Sequence, residues 1–294
     1  MVTIELEKCT DCGTCVRICH EHCMSVHAGK ISIDYKSCST CTQCVAVCPE
    51  QALAWNHTPP SVFDSPKLPA FDQMDEMLKQ RRTVRHFGPE RVSRSVLENL
   101  AQYGAYAPTH SHDFRMIIID DTTIVDLMDK VLTRYTSKIY GLLFKPRIIY
   151  RIMKLFAPGM KDEYNRAKTK LEIGVKSGSI LRSRPAAFMA LVGSKHTPLN
   201  LESAQYAVYN LTLMAQSIGL GCRNLVGNQS ILNRDREFRK EMNLGRADQI
   251  FGLVGIGHPS VKYKNKVEGR ALPIQWNGVE EPRKRPIGAG RTNT

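Results

Sequence analysis

Apolar positions along this chain fall into three regimes. From Leu201 through Ala204, Val208, Leu211 and Ala215 to Ile218 they recur every three or four residues, which predicts a long amphipathic helix stopped by Gly219. The same period links Val96, Leu97, Leu100 and Ala101 and predicts a helix over residues 93–105. Phe71, Met74 and Leu78, with Asp72 and Asp75 near the start, predict another that runs toward Arg81. Met116–Ile119 and Ile250–Ile256 are continuous apolar runs, which predict buried strands. Four prolines between residues 57 and 70 predict an extended, semi-rigid connector. Before residue 56 the apolar positions thin out to a few, among them Val16, Ile18, Ile31, Ile33, Val45, Val47, Leu53 and Trp55. So small a core needs another source of stability.

Cysteine supplies a candidate. Nine of the ten cysteines lie before residue 50. Cys9, Cys12, Cys15 and Cys19 form a C-x2-C-x2-C-x3-C run. Cys38, Cys41, Cys44 and Cys48 repeat it, and Pro49 follows. Three thiolates two residues apart can wrap a tight loop around one iron–sulfur cube, while the fourth reaches the other cube. The spacing therefore assigns Cys9, Cys12, Cys15 and Cys48 to one [4Fe–4S] cluster, and Cys38, Cys41, Cys44 and Cys19 to a second. Zinc sites favour two separated C-x2-C pairs instead. Residues 1–56 resemble the bacterial two-cluster ferredoxin, with His20 standing where that family usually has proline. Such a segment should unfold without its metal. Cys23 is surplus to the motif: a small buried thiol, or a substitute ligand.

Composition narrows the class. The chain has 294 residues and a formal charge of +13; 42% of residues are hydrophobic and 23% charged, which excludes a wholly disordered chain. No apolar run approaches the roughly 18 residues of a membrane span. The first residues lack a basic start and an apolar core, so the expected location is cytoplasmic, with reduced thiols. Residues 130–184 hold 14 Lys and Arg against Asp162, Glu163 and Glu172, a net +11, whereas residues 1–56 net −2. This basic insert is expected to be helical and broken at Pro146. It reads first as a lid over a pocket with solvated cations. Second, it reads as a docking surface for an acidic donor or anionic substrate. Third and least favoured is an interfacial helix in peripheral contact with anionic lipid. No nucleic-acid motif accompanies the charge, so no nucleic-acid partner is expected.

The remaining motifs lie in one order. Arg81-Arg82-Thr83-Val84-Arg85 suits a phosphate by its guanidinium forks and hydroxyl. Ala107-Pro108-Thr109 follows, then the long helix ending Gly219-Leu220-Gly221, then Val254-Gly255-Ile256-Gly257-His258-Pro259. In that order the motifs resemble the FMN-dependent nitroreductase family over about residues 71–276, and ferredoxin–nitroreductase fusions form a subgroup of it. The resemblance implies an α+β fold with a central, mainly antiparallel sheet flanked by helices. It implies that Arg81 and Thr83 hold the FMN phosphate, and that Arg82 and Arg85 lie along the ribityl chain and pyrimidine edge. Pro108, Thr109 and the backbone around Leu225–Gly227 would approach the ring, and Arg270 would reach the phosphate. His110, Ser111 and His112 stand where the family usually has an asparagine, which leaves His112 a weak candidate donor and no general acid nameable. Cys222, just past the turn, reads as a small buried residue. The family is usually a homodimer with FMN at the interface.

The expected domains are a two-cluster head over 1–56, a linker over 57–70, an FMN domain over 71–280 and a loose tail over 281–294. The expected function is an oxidoreductase. It passes electrons from a low-potential donor through two [4Fe–4S] clusters to FMN, and on to an electron-poor acceptor such as a nitroaromatic, quinone or activated alkene. A ferredoxin or flavodoxin would be the external donor. The alternatives are an NAD(P)H-driven nitroreductase and a non-catalytic electron-transfer module that docks to a partner.

Overall fold

The structure, a computed structural model, describes residues 1–27, 29–108, 113–267 and 272–275. Its contacts divide the chain into two units: Met1–Ser61 with Thr83–Val261, and Val62–Arg82 with the residues from Lys262 onward. The sequence placed its boundaries elsewhere, at 56, 70 and 280.

The cysteine-rich segment holds two strand pairs and two short helices. These are β1 (Val2–Ile4), α1 (Thr14–Ile18), β2 (Met24–His27), β3 (Lys30–Ile33), α2 (Gln43–Val47) and β4 (Leu53–Trp55). β1 pairs with β4 and β2 with β3, both antiparallel. The buried core is Val2, Met24, Ile31, Val45 and Leu53 together with Cys15 and Cys23. Sulfur thus fills space that a larger domain would give to leucine. Ile18, counted among the core candidates, is 41% exposed.

In the second unit, α3 (Phe71–Gln80) begins where the sequence placed it, and the Ala70 N–H donates to Gln73 Oε1 at 2.9 Å. Its stripe of Phe71, Met74 and Leu78 is exposed. Lys266 pairs with Glu76.

The rest of the first unit is built on one sheet. Helix α4 (Arg94–Gln102) is capped by Ser93, whose Oγ accepts from the Val96 N–H. The expected helix to residue 105 becomes a 3-10 turn after Gln102. Then follow β5 (Phe114–Ile119), α5 (Thr122–Leu143), α6 (Arg147–Phe156), α7 (Lys161–Lys176) and β6 (Ala187–Ser194). The chain continues with α8 (Asn200–Ser217), β7 (Gly221–Asn224), α9 (Val226–Leu232), α10 (Arg236–Glu241) and β8 (Asp248–Gly257). The strands form one antiparallel sheet in the order β5-β6-β8-β7. β6 is buried on both faces. Phe188, Ala190 and Val192 join Met128, Val131 and Leu132 of α5, while Ala187 and Met189 join Val208 and Leu211 of α8 and Leu97 of α4. Helices on both faces explain why β6 reads as an unbroken apolar run.

The basic region does not start at Lys130. It continues α5, whose first turn Asp121 caps by accepting the Thr123 N–H at 2.7 Å. The break falls at Pro146, as expected. Tyr140, Phe144, Tyr150 and Tyr164 tie α5, α6 and α7 together through ring centroids 4.8–6.2 Å apart. Ile148, Ile152, Leu155 and Phe156 form an exposed apolar stripe along α6. Among the described residues no helix is long and apolar enough to cross a membrane.

Candidate functional site

The two cysteine runs fold into matching loops. Two and four residues after Cys9 stand Asp11 and Gly13, both with positive φ; two and four after Cys38 stand Thr40 and Thr42, also with positive φ. Three residues after Cys19 and Cys48, His22 and Gln51 do the same at φ 51°. Five of these six are not glycine, and each left-handed residue costs on the order of 1 kcal/mol. The same strain at the same offsets marks a loop shaped around something.

What the loops surround is two cavities. One is lined by Cys9, Cys12, Cys15 and Cys48 with Ile4, Ile31 and Leu53, and is partly open to solvent. The other, also partly open, is lined by Cys19, Cys38, Cys41 and Cys44 with Cys23, Val2 and Met24. The fourth cysteine of each run crosses to the cavity of the other: Cys19 and Cys48 each follow the last residue of their helix, and α1 packs against α2. Among the described residues no three His, Cys, Asp or Glu converge tightly enough for a single metal ion. Each quartet instead rings a cavity, the arrangement needed when each thiolate binds a separate iron of one cube.

The thiols sense one another. Burial pushes Cys15 up, with Cys48 and Cys12 adding to it. Burial pushes Cys44 up to about 11, with Cys41 and Cys38 among the groups adding to it. Burial likewise takes Cys23 up to about 12, helped by Cys19 and Cys38. Burial also acts to raise Cys19, but contacts with Cys23 and with backbone near Glu21 and Met24 outweigh it and leave that thiol below its ordinary value. Cys12 is lowered, chiefly by its contact with the Thr14 hydroxyl. Ala52 N–H donates to Cys48 Sγ at 3.3 Å, the kind of bond that steadies a ligating sulfur. Crowded thiolates gain most from a cationic centre among them, so the donor set fits an iron–sulfur cube.

The second arrangement lies beside β7. The Val84 N–H donates to Cys222 O at 3.0 Å, the Phe87 N–H to Ser183 Oγ at 2.9 Å and the Gly88 N–H to His258 O at 2.8 Å. Three distant segments are thereby pinned to the stretch that contains Thr83 and Arg85. A Cβ on Gly221 would stand 2.6 Å from Val84 Cγ2, so only glycine lets this stretch lie against β7. Arg223, whose side chain is half-buried, is held below the usual arginine range, first by burial and then by the like charges of Arg85 and Arg182. Among the described residues no carboxylate pairs with Arg85, Arg182 or Arg223. Two guanidiniums whose charges reach a third, with no carboxylate paired to any of them, suit an anion.

The expected flavin residues are distributed unevenly. Thr83 and Arg85 come together with the β7 end, as does Leu225, whose N–H donates to Leu253 O at 2.8 Å. The Leu225 side chain is buried in the sheet core, and its C=O accepts from the Asn228 N–H at 3.0 Å. A Cβ on Gly227 would meet open space. Pro108 is exposed. Arg81 and Arg82 belong to the second unit, where the Arg82 guanidinium donates to Lys79 O and Arg81 O at 2.7 and 2.8 Å, at the C-terminal end of α3. Cys222, expected to be buried, is half-buried and packs against the α4–α8 core. Thr109, His112, Arg270 and the tail 281–294 lie outside the described residues.

Sequence reasoning missed Arg182 and Arg223. Arg223 carried a signal, a charged residue inside a short strand directly after Gly219-Leu220-Gly221. Arg182 carried none. Also missed was Asp129, a buried carboxylate on α5. It accepts from Ser179 Oγ at 2.6 Å, from the Ile180 N–H at 2.9 Å and from the Leu181 N–H at 3.0 Å. It fixes the turn from which Arg182 and Ser183 project.

Comparison with known proteins agrees with this geometry. Among solved structures, the chain is similar to a BluB-like flavoprotein from Clostridium difficile 630, with a TM-score of 0.51 and 15% identity over 69% of this chain and 99% of that one. It is also similar to a nitroreductase with bound FMN from Desulfitobacterium hafniense DCB-2, with a TM-score of 0.50 and 14% identity over 68% of this chain and 97% of that one. At such identities the likeness shows the fold. A search of curated proteins gave no significant match. The model of the nitroreductase family matches residues 78–258, more than half of the chain. The sheet with helices on both faces, the arginine-rich stretch laid against β7 and this match together place the chain in the nitroreductase family, as a nitroreductase-type flavin oxidoreductase.

Proposed function

We propose that the protein is an FMN- and iron–sulfur-dependent oxidoreductase. It draws electrons from an external low-potential donor and delivers them to an electron-poor organic acceptor such as a nitroaromatic, quinone or activated alkene. The observation that supports the iron–sulfur half is the pair of cavities, each ringed by one crossed quartet of cysteines. FMN is supported by family membership and by the uncompensated charge of Arg85, Arg182 and Arg223. When bound, the clusters supply single-electron transfer and FMN the two-electron reduction of the acceptor.

The chain's own residues would do the following. Cys9, Cys12, Cys15 and Cys48 hold one cluster, and Cys19, Cys38, Cys41 and Cys44 the other. Val2, Ile4, Ile31 and Leu53 keep water from the sulfurs. Thr83 donates a hydroxyl to the FMN phosphate. Arg85, Arg182 and Arg223 offset negative charge on the flavin. Gly227 leaves the ring room to approach the backbone. A homodimer with FMN at the interface and a cytoplasmic location complete the reading.

The test begins with anaerobic reconstitution of the full chain. It should contain about eight irons and one yellow chromophore per chain. In stopped-flow mixing, a reduced ferredoxin should bleach the cluster absorbance before the flavin. Bleaching of the flavin by NADPH ahead of any cluster change would reverse the direction of flow and favour the nicotinamide-driven reading.

A further inference from the structure

We propose that Cys23 is a reserve ligand of the second cysteine cavity, able to hold the iron otherwise bound by Cys19. The inference rests on the two-cluster reading above. Cys23 Sγ lies 3.4 Å from Cys19 Sγ, and both line the cavity that Cys38, Cys41 and Cys44 also line. Two thiolates on one tetrahedral metal at roughly 2.3 Å stand about 3.8 Å apart. The two sulfurs are therefore placed to reach the same iron with only a side-chain adjustment. The backbone is already fixed: the Asp34 N–H donates to Cys23 O at 2.7 Å, and β2 begins at the next residue. The side chain is 6% exposed, so the thiol is committed to the cavity and not to solvent.

The internal repeat supplies a built-in control. Four residues after Cys19 stands Cys23; four residues after Cys48 stands Ala52, which lines the other cavity. The two repeats share their loop conformation, so the one chemical difference at this position is a thiol against a methyl group. Among the described residues the first cavity has no fifth cysteine. In the exchange, an Fe–S bond to Cys23 forms as its thiol proton leaves to solvent. The Fe–S bond to Cys19 breaks, and that thiolate takes up a proton. The iron keeps its oxidation state, so no oxidant or reductant is needed.

The experiment compares the full chain with C19S, C23S, C48S and C19S/C23S after anaerobic reconstitution. It reads iron, acid-labile sulfide, the EPR spectrum of the reduced clusters and the FMN content. C19S and C23S should each keep about eight irons per chain, whereas C48S and C19S/C23S should fall to about four. The EPR signal of one cluster should shift in C19S, because a new sulfur ligates it. FMN content reports that the larger domain is folded in every variant. A C19S chain that falls to the iron content of C19S/C23S, with or without FMN, overturns the proposal. A wild-type chain that never reaches eight irons overturns the two-cluster reading beneath it instead.

Discussion

Asp129 offers the sharpest quantitative test of how this fold holds its site. The carboxylate is 6% exposed and accepts hydrogen bonds from the Ser179 hydroxyl and from two backbone N–H groups, Ile180 and Leu181, at 2.6–3.0 Å. Arg184 Nη2 stands 3.7 Å away and supplies the nearby positive charge. Asp129→Ala removes the acceptor and leaves the buried Leu181 N–H without one, at roughly 1–3 kcal/mol, whereas the Ile180 N–H keeps Thr133 Oγ1 at 3.2 Å. With the Ser179 hydroxyl also losing its acceptor the total comes to about 2–4 kcal/mol, and Arg184, half exposed and still paired with Asp126, adds little. For a chain of this size that corresponds to roughly 4–16 °C in Tm. Asp129→Asn keeps Oδ1 for both backbone donors and loses mainly the charge, so it should cost only about 1–2 kcal/mol. Urea unfolding should show a lower midpoint with an unchanged slope, and amide exchange at Ile180 and Leu181 should accelerate. The same turn presents Arg182 and receives the Phe87 N–H through Ser183, so FMN retention should weaken in parallel. An Asp129→Ala protein within about 1 kcal/mol of wild type, with those two amides still protected, would refute the assignment of this carboxylate as the anchor of the turn.

Four further outcomes follow from the geometry. Gly221→Ala should destabilise by about 1–3 kcal/mol through its clash with Val84, and adding Val84→Ala should recover part of that loss; simple additivity in the double-mutant cycle would show that the two do not touch. Arg223→Ala should weaken FMN binding, measured by fluorescence titration, about tenfold or more and flatten its salt dependence, and an unchanged salt slope would remove Arg223 from the anion site. Asp248 is held below the usual carboxylate range, first by the hydrogen bond from Arg115. A depressed folded pKa adds stability above the unfolded value of about 3.9 and loses it as pH falls through the folded value. Asp248→Asn should therefore cost up to about 1 kcal/mol near pH 7, and the gap to wild type should close below about pH 4. Finally, the exposed stripe of Ile148, Ile152, Leu155 and Phe156 sits in the most basic stretch of the chain. If that face meets anionic lipid, Ile152→Glu with Leu155→Glu should cut co-sedimentation with anionic vesicles at least tenfold. Equal binding to neutral vesicles, or none to either, would end that reading.

Local physics made much of this chain legible before any coordinates. The cysteine spacing is a contiguous signal: each run supplies three sulfurs within seven residues, and folding sets them along one cavity. The period of three and four residues from Leu201 to Ile218 gave α8 almost to the residue, and Gly219, at φ +80°, supplies the left-handed stop expected of it. The helix after Ser93 was readable for the same reason, since one buried face leaves a repeat in the sequence, whereas the strand around Ile250 showed as a continuous apolar run because both its faces are covered. β6 carries the same kind of run and was passed over, since periodicity alone does not separate so short an apolar run from a buried helix segment. The start of the basic region was misplaced at Lys130, because charge marks what faces water and not where a helix begins; α5 starts at Thr122. Three features belonged to tertiary structure alone. Arg85, Arg182 and Arg223 are far apart in sequence, and the charges of the first two reach the third only because β7, the Thr83–Gly88 stretch and the turn before β6 pack together. Asp129 gains its role from amides some fifty residues away. Cys23 looked surplus until folding set its sulfur beside that of Cys19. Periodicity reports which face of an element is buried, but which elements become neighbours is decided by the packing of the whole chain.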